Sequence, residues 1–168
     1  MSIEPDTKDW TWTTERPCPD CGFDPALVQR DQLAGLLHEN TRGWYGALAG
    51  ADAALRPSPD TWSRLEYACH VRDVHRLFRE RLTSMLEQDD PLFANWDQNE
   101  TAVESRYADQ DPATVSVELV EAAADVAAVY ARVTGDQWQR RGTRSNGSVF
   151  TVETLGVYHL HDVVHHLG

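Results

Sequence analysis

The sequence predicts an all-α fold: a four-helix bundle with one long crossover connection after the second helix and an irregular N-terminal arm. Three observations carry that expectation. Apolar residues recur at helical spacing in four long segments, Asp-Pro pairs stand at the head of two of them, and turn-rich stretches separate them. A chain of 168 residues suits a single core, divided here into an arm over residues 1–23 and a bundle over 24–168.

The arm shows no sustained helical period. It carries Trp10, Trp12 and Phe23, which are costly to leave in water, so it is expected to pack across the bundle. Asp24-Pro25 reads as a helix cap followed by proline at the first helical position, and Leu27, Val28, Leu33, Leu36, Leu37, Trp44, Tyr45 and Leu48 trace a first helix to about Ala49. After the turn at Pro57-Ser58-Pro59-Asp60, the run from Trp62 through Leu65, Cys69, Val74, Phe78 and Leu82 gives a second helix to about Glu87. Residues 89–111 form the crossover, with a short turn of helix around Thr101–Tyr107. Asp111-Pro112 repeats the cap-and-proline start, and Val115, Leu119, Ala123, Val126 and Tyr130 mark a third helix closed by Gly135. Arg140 to Gly147 reads as a polar loop, and the fourth helix runs from Thr151 to the last residue. Two short links and one long one suit a bundle.

Composition excludes several functions. With 27 Asp plus Glu against 15 Lys plus Arg, the net charge of −12 would repel a phosphate backbone, so nucleic acid is not an expected partner. No run approaches the roughly 20 apolar residues of a membrane span. The N-terminus lacks the basic start and apolar stretch of a secretory signal, which points to the cytoplasm. Three cysteines in such a chain do not make a disulfide framework.

Four of the seven histidines fall within Tyr158 to His166. At about 100° per residue, His161 and His165 share one face of the fourth helix, and His159 and His166 share another. Imidazoles four residues apart can reach one metal ion, although such a pair can equally be solvated without a ligand. The second helix could add a third ligand from His70 or from His75, about 140° further around, but not from both. Cys18 and Cys21, followed by Gly22, look like half of a zinc knuckle. A structural zinc site wants four ligands and the sequence offers no second cysteine pair, so a redox dithiol and plain burial stand beside it.

The chain resembles the DinB-like superfamily, which includes mycothiol- and bacillithiol-dependent transferases and mycothiol-dependent maleylpyruvate isomerase. The resemblance rests on His70 within the apolar run Glu66 to Asp73, on His161 and His165 in the closing helix, on the Ser145-Asn146-Gly147 loop and on the long crossover. It implies that His70, His161 and His165 bind one divalent metal, zinc or nickel, with open positions for water or a thiolate. The arm lies outside the family's common core, and the chain stops sooner after His165 than the family does.

An open three-ligand ion lowers the pKa of bound water or fixes a thiol as thiolate. The implied function is a metal-dependent transferase or isomerase whose partners are a low-molecular-weight thiol such as mycothiol and an electrophile. A non-enzymatic metal- or ligand-binding bundle and a metal-water hydrolase are the alternatives. Arg140, Arg141 and Arg144 are candidates to bind a carboxylate of the cosubstrate, and Glu66, Asp73 and Asp162 to orient the imidazoles. Apolar surface left on one helix pair would make the protein a homodimer.

Overall fold

The computed structural model describes residues 11–167. Four long helices form the bundle: α1 (Leu33–Leu48), α2 (Arg64–Glu87), α4 (Pro112–Ala131) and α5 (Val152–Leu167), with a short α3 (Gln98–Glu104) in the connection after α2. Among the described residues no helix is long and apolar enough to cross a membrane.

Local chemistry sets the helix starts. Ser63 accepts from the Glu66 amide while the Glu66 carboxylate accepts from the Ser63 amide, each at 3.1 Å, which closes a capping box on α2. Asp97 caps α3, and Asp111 caps α4 with Pro112 behind it. Asp24 also caps as its sequence predicts, accepting from the Ala26 amide at 2.9 Å, but the result is only a 3-10 turn over Pro25–Leu27. Val28 and Gln29 are extended, so α1 starts at Leu33 rather than Pro25, and Leu27 is left 77% exposed.

The helices are not arranged as neighbours in sequence. α1 and α2 each pack mainly on α4 and α5, so α1 lies across one diagonal from α2 and α4 across the other from α5. The links over 49–63 and 132–151, expected to be short, are long because each crosses a diagonal. Close approach is secured at Gly156 of α5, where a Cβ would stand 2.5 Å from Leu33 Cδ1 of α1 and 3.2 Å from Tyr130 Cε1 of α4.

The polar loop expected before the last helix is a hairpin. β2 (Arg141–Arg144) pairs antiparallel with β3 (Val149–Thr151), and β1 (Leu92–Phe93) adds to β2 in parallel, giving the order β1-β2-β3. Runs of two to four residues carry too little alternation to read as strands in the sequence. Their inward side is nonetheless apolar, with Phe150 and Phe93 buried and Gly142 pressed against Phe93.

Where it is described, the arm lies on the bundle. Thr11–Thr14 forms a 3-10 turn against α5, Trp12 lies on the core, and Cys18 and Phe23 are buried. Trp10 lies outside the described residues.

Candidate metal centres

Helix α5 presents two adjacent faces, and each meets a different set of ligand-type side chains. His161 and His165 point toward the arm, where their ring nitrogens and the thiols of Cys18 and Cys21 lie within 4.8 Å of one another. Asp162 and His166, one residue further on and therefore about 100° around, turn toward α2 and form a second such group with His70.

The expected triad of His70, His161 and His165 is thus divided. His70 does not join the other two; it meets the next i, i+4 pair of the same helix. The rotation of α5 about its axis decides which pair faces α2, and spacing alone does not reveal that rotation.

In the group on α2, Asp162 uses both oxygens: Oδ2 lies 3.5 Å from His70 Nε2 and Oδ1 lies 3.5 Å from His166 Nε2. His70 is buried, and neither its ring nitrogens nor Asp162 Oδ2 makes a hydrogen bond. Buried polar atoms are seldom left so, which makes this an orphaned donor set rather than an ordinary polar network. A zinc ion bound at about 2.0 Å to both nitrogen and oxygen would separate tetrahedral ligands by about 3.3 Å, close to what is seen. Burial pushes His70 below its ordinary pKa, against the pull of Asp162, so its ring is neutral. Burial would raise Asp162, but His166 and His70 outweigh it and keep the carboxyl well below its usual range. Neutral imidazole and ionised carboxylate are the forms a metal needs.

Aromatic rings wall this group. His70 stacks on Trp96 with centroids 5.6 Å apart, Trp62 lies 5.7 Å away, and Tyr67 stacks on His166 at 5.4 Å. Beside it opens a pocket of about 610 Å³ lined by Trp44, Arg56, Trp62, Tyr67, His165 and His166, among others.

The other sequence candidates have different work. Glu66 neither orients His70 nor faces water: it is buried, accepts two hydrogen bonds from Arg56 at 2.8 and 2.6 Å and closes the capping box. Asp73 accepts from the Tyr107 hydroxyl and pairs with Arg72 at 3.0 Å. Asp162, expected as an orienting group, stands among the ligand atoms. Arg140 donates to the carbonyls of Met85 at 2.6 Å and Gln88 at 2.8 Å, closing the C-terminus of α2 instead of binding an anion. Arg141 and Arg144 lie on β2, before α5 begins, and about 14 Å of helix separate Val152 from His161. The arginine group is therefore not part of either cluster.

His75, the alternative to His70 on α2, pairs in the core with His159. His75 Nδ1 lies 2.9 Å from His159 Nε2, and His159 Nδ1 lies 3.2 Å from the Tyr130 hydroxyl. Burial lowers both rings, His75 to about 4, so the pair is neutral. Cys69 turns away from His70 to Tyr107 and Gln110, and burial lifts its thiol to about 12, which leaves it inert.

Residues 35–168 match the family described as the DinB superfamily. Among solved structures, YfiT from Bacillus subtilis, described as a probable metal-dependent hydrolase with an unusual four-helix bundle topology, aligns with a TM-score of 0.74 at 18% identity. The alignment covers 90% of this chain and 88% of that one. No curated protein matches the sequence.

Proposed function

Since this chain belongs to the DinB superfamily, we propose that it is a metal-dependent enzyme whose ion is held by His70, Asp162 and His166 and whose nucleophile is a low-molecular-weight thiol. The observation that carries the reading is the pair of buried, hydrogen-bond-free atoms His70 Nε2 and Asp162 Oδ2, 3.5 Å apart and beside His166. Two histidines and a carboxylate leave a coordination position open. When bound there, the ion supplies Lewis acidity that favours the deprotonated form of a coordinated thiol or water.

The chain's own residues do the rest. Trp62 and Trp96 keep water from the buried His70 ring, and Tyr67 fixes the plane of the His166 ring at the pocket wall. Asp162 lowers the net charge of the centre, so that a thiolate there keeps more of its electron density for attack on an electrophile. Arg56 and Arg64 stand at the pocket wall, though Glu66 and Asp52 already pair with them, so the pocket is balanced rather than strongly cationic. A reducing cytoplasm, where such a thiol is abundant, is the compartment this reading requires.

A metal-water hydrolase is the second reading, favoured by the description of YfiT and by a two-histidine, one-carboxylate set of the type that serves zinc peptidases. One experiment separates them. The zinc- or nickel-loaded protein is given a bimane electrophile with and without mycothiol, and separately an activated ester without thiol. Conjugate formation that needs the thiol and disappears in His70→Ala supports the first reading. Ester hydrolysis alone supports the second, and neither activity leaves a binding bundle.

A further inference from the structure

We infer that Cys18, Cys21, His161 and His165 form a second, closed zinc site that ties the N-terminal arm to the last turns of α5. The cysteines lie outside the segment that matches the family, so this site is an addition to the common bundle.

The arm is shaped for it. The Phe23 carbonyl accepts from the Cys18 amide at 2.8 Å, and the Gly22 amide donates to the Cys18 carbonyl at 2.8 Å. Gly22 takes φ +77°, a backbone state that lets the chain turn back tightly enough to set Cys21 beside Cys18.

The α5 side matches. His161 and His165 are one turn apart, and Cys18 Sγ stands 3.8 Å from His165 Nδ1. Zinc bonds of about 2.3 Å to sulfur and 2.0 Å to nitrogen, at a tetrahedral angle, give a ligand separation of about 3.5 Å. Phe23 covers the group, with its ring 5.4 Å from that of His161, and Cys18 is only 1% exposed. A redox dithiol wants an accessible thiolate beside a cation; Cys18 is closed to a disulfide partner, and Cys21 alone keeps some exposure. Four protein ligands fill a tetrahedral ion, so the site is structural and keeps no position for substrate. Binding releases the two thiol protons and leaves an uncharged centre. It stands next to the group on α2, with the rings of His165 and His166 5.6 Å apart.

The test uses the full chain, stripped of metal under reducing conditions and refilled with cobalt(II) or zinc. Cobalt should give a thiolate charge-transfer band in the near ultraviolet, and zinc should bind at two ions per chain with Cys18 and Cys21 shielded from a thiol reagent. Cys18→Ser with Cys21→Ser should abolish the band and remove one of the two ions. His70→Ala should remove the other ion and keep the band. Absence of the band in the unaltered protein, with both thiols fully reactive in excess zinc, would overturn the inference without requiring any variant to fold. A retained band with unchanged zinc content in His70→Ala would instead sink the proposed catalytic centre and leave this site standing.

Discussion

His70 Nε2 and Asp162 Oδ2 face each other at 3.5 Å across the α2–α5 interface, both buried and neither in a hydrogen bond. If an ion joins them, Asp162→Asn, which keeps the shape and removes the charge, should weaken zinc binding at that centre by more than the roughly 10–100-fold that changes behind a ligand cost. Titration against a competing chelator measures it. Equal affinity in the variant would exclude Asp162 as a ligand.

The buried pair of His75 and His159 predicts a coupling. His159→Leu should destabilise the fold by about 1–3 kcal/mol, because it strands His75 Nδ1 and the Tyr130 hydroxyl in the core. Combining it with His75→Leu should cost less than the sum of the two single changes, since both partners are then gone. Urea unfolding of the four proteins reads the cycle, and simple additivity would contradict the hydrogen bond.

Glu66 predicts an acid-side loss of stability. Burial opposes its ionisation, but the Arg56 hydrogen bonds and the Ser63 amide outweigh it and hold the carboxyl below its ordinary value. A depressed folded-state pKa contributes stability that is present above the ordinary carboxylate pKa, about 4.3, and is lost as pH falls through the folded value. Glu66→Gln should cost about 2 kcal/mol at neutral pH, less than a fully buried pair because Arg56 keeps a quarter of its side chain in water. The difference from the unaltered protein should shrink as the pH is lowered past the carboxylate range. A constant difference would mean that the charge contributes nothing.

Arg140 separates a structural role from a binding role. Arg140→Ala should lose about 1 kcal/mol of stability with the hydrogen bonds to Met85 and Gln88. It should leave KM for thiol unchanged, and Arg141→Ala and Arg144→Ala should change neither. A raised KM in any of the three would restore the arginine group to cosubstrate binding.

Where the sequence was legible, the information was local. Asp111 and Pro112 act within a turn of themselves, and the periodic runs of α2 and α4 ended close to where they were expected. What stayed hidden depended on rotation and on distant partners. His161 with His165 and Asp162 with His166 are both i, i+4 pairs, and only the packing of α5 on α2 shows that the second pair meets His70. Cys18 and Cys21 looked like half a site because their partners were sought among cysteines, whereas the ligand-type side chains nearest them are the two histidines already assigned elsewhere. β2 and β3 stayed hidden because their stability comes from Phe150, Gly142 and Phe93 meeting over α2, not from their own patterning.

The diagonal placement of consecutive helices bears on how the chain reaches its native state. In an up-and-down bundle each helix can collapse onto the one just made, so folding proceeds through local hairpins. Here α1 finds its main partners in α4 and α5, at the far end of the chain, and no helical hairpin is available to it early. Loop closure must come before most of the contacts that repay it, so refolding should be slow for an all-helical protein of this size. Until α5 is present, α1 and α2 have only α4 to share, and that flank of the bundle stays open.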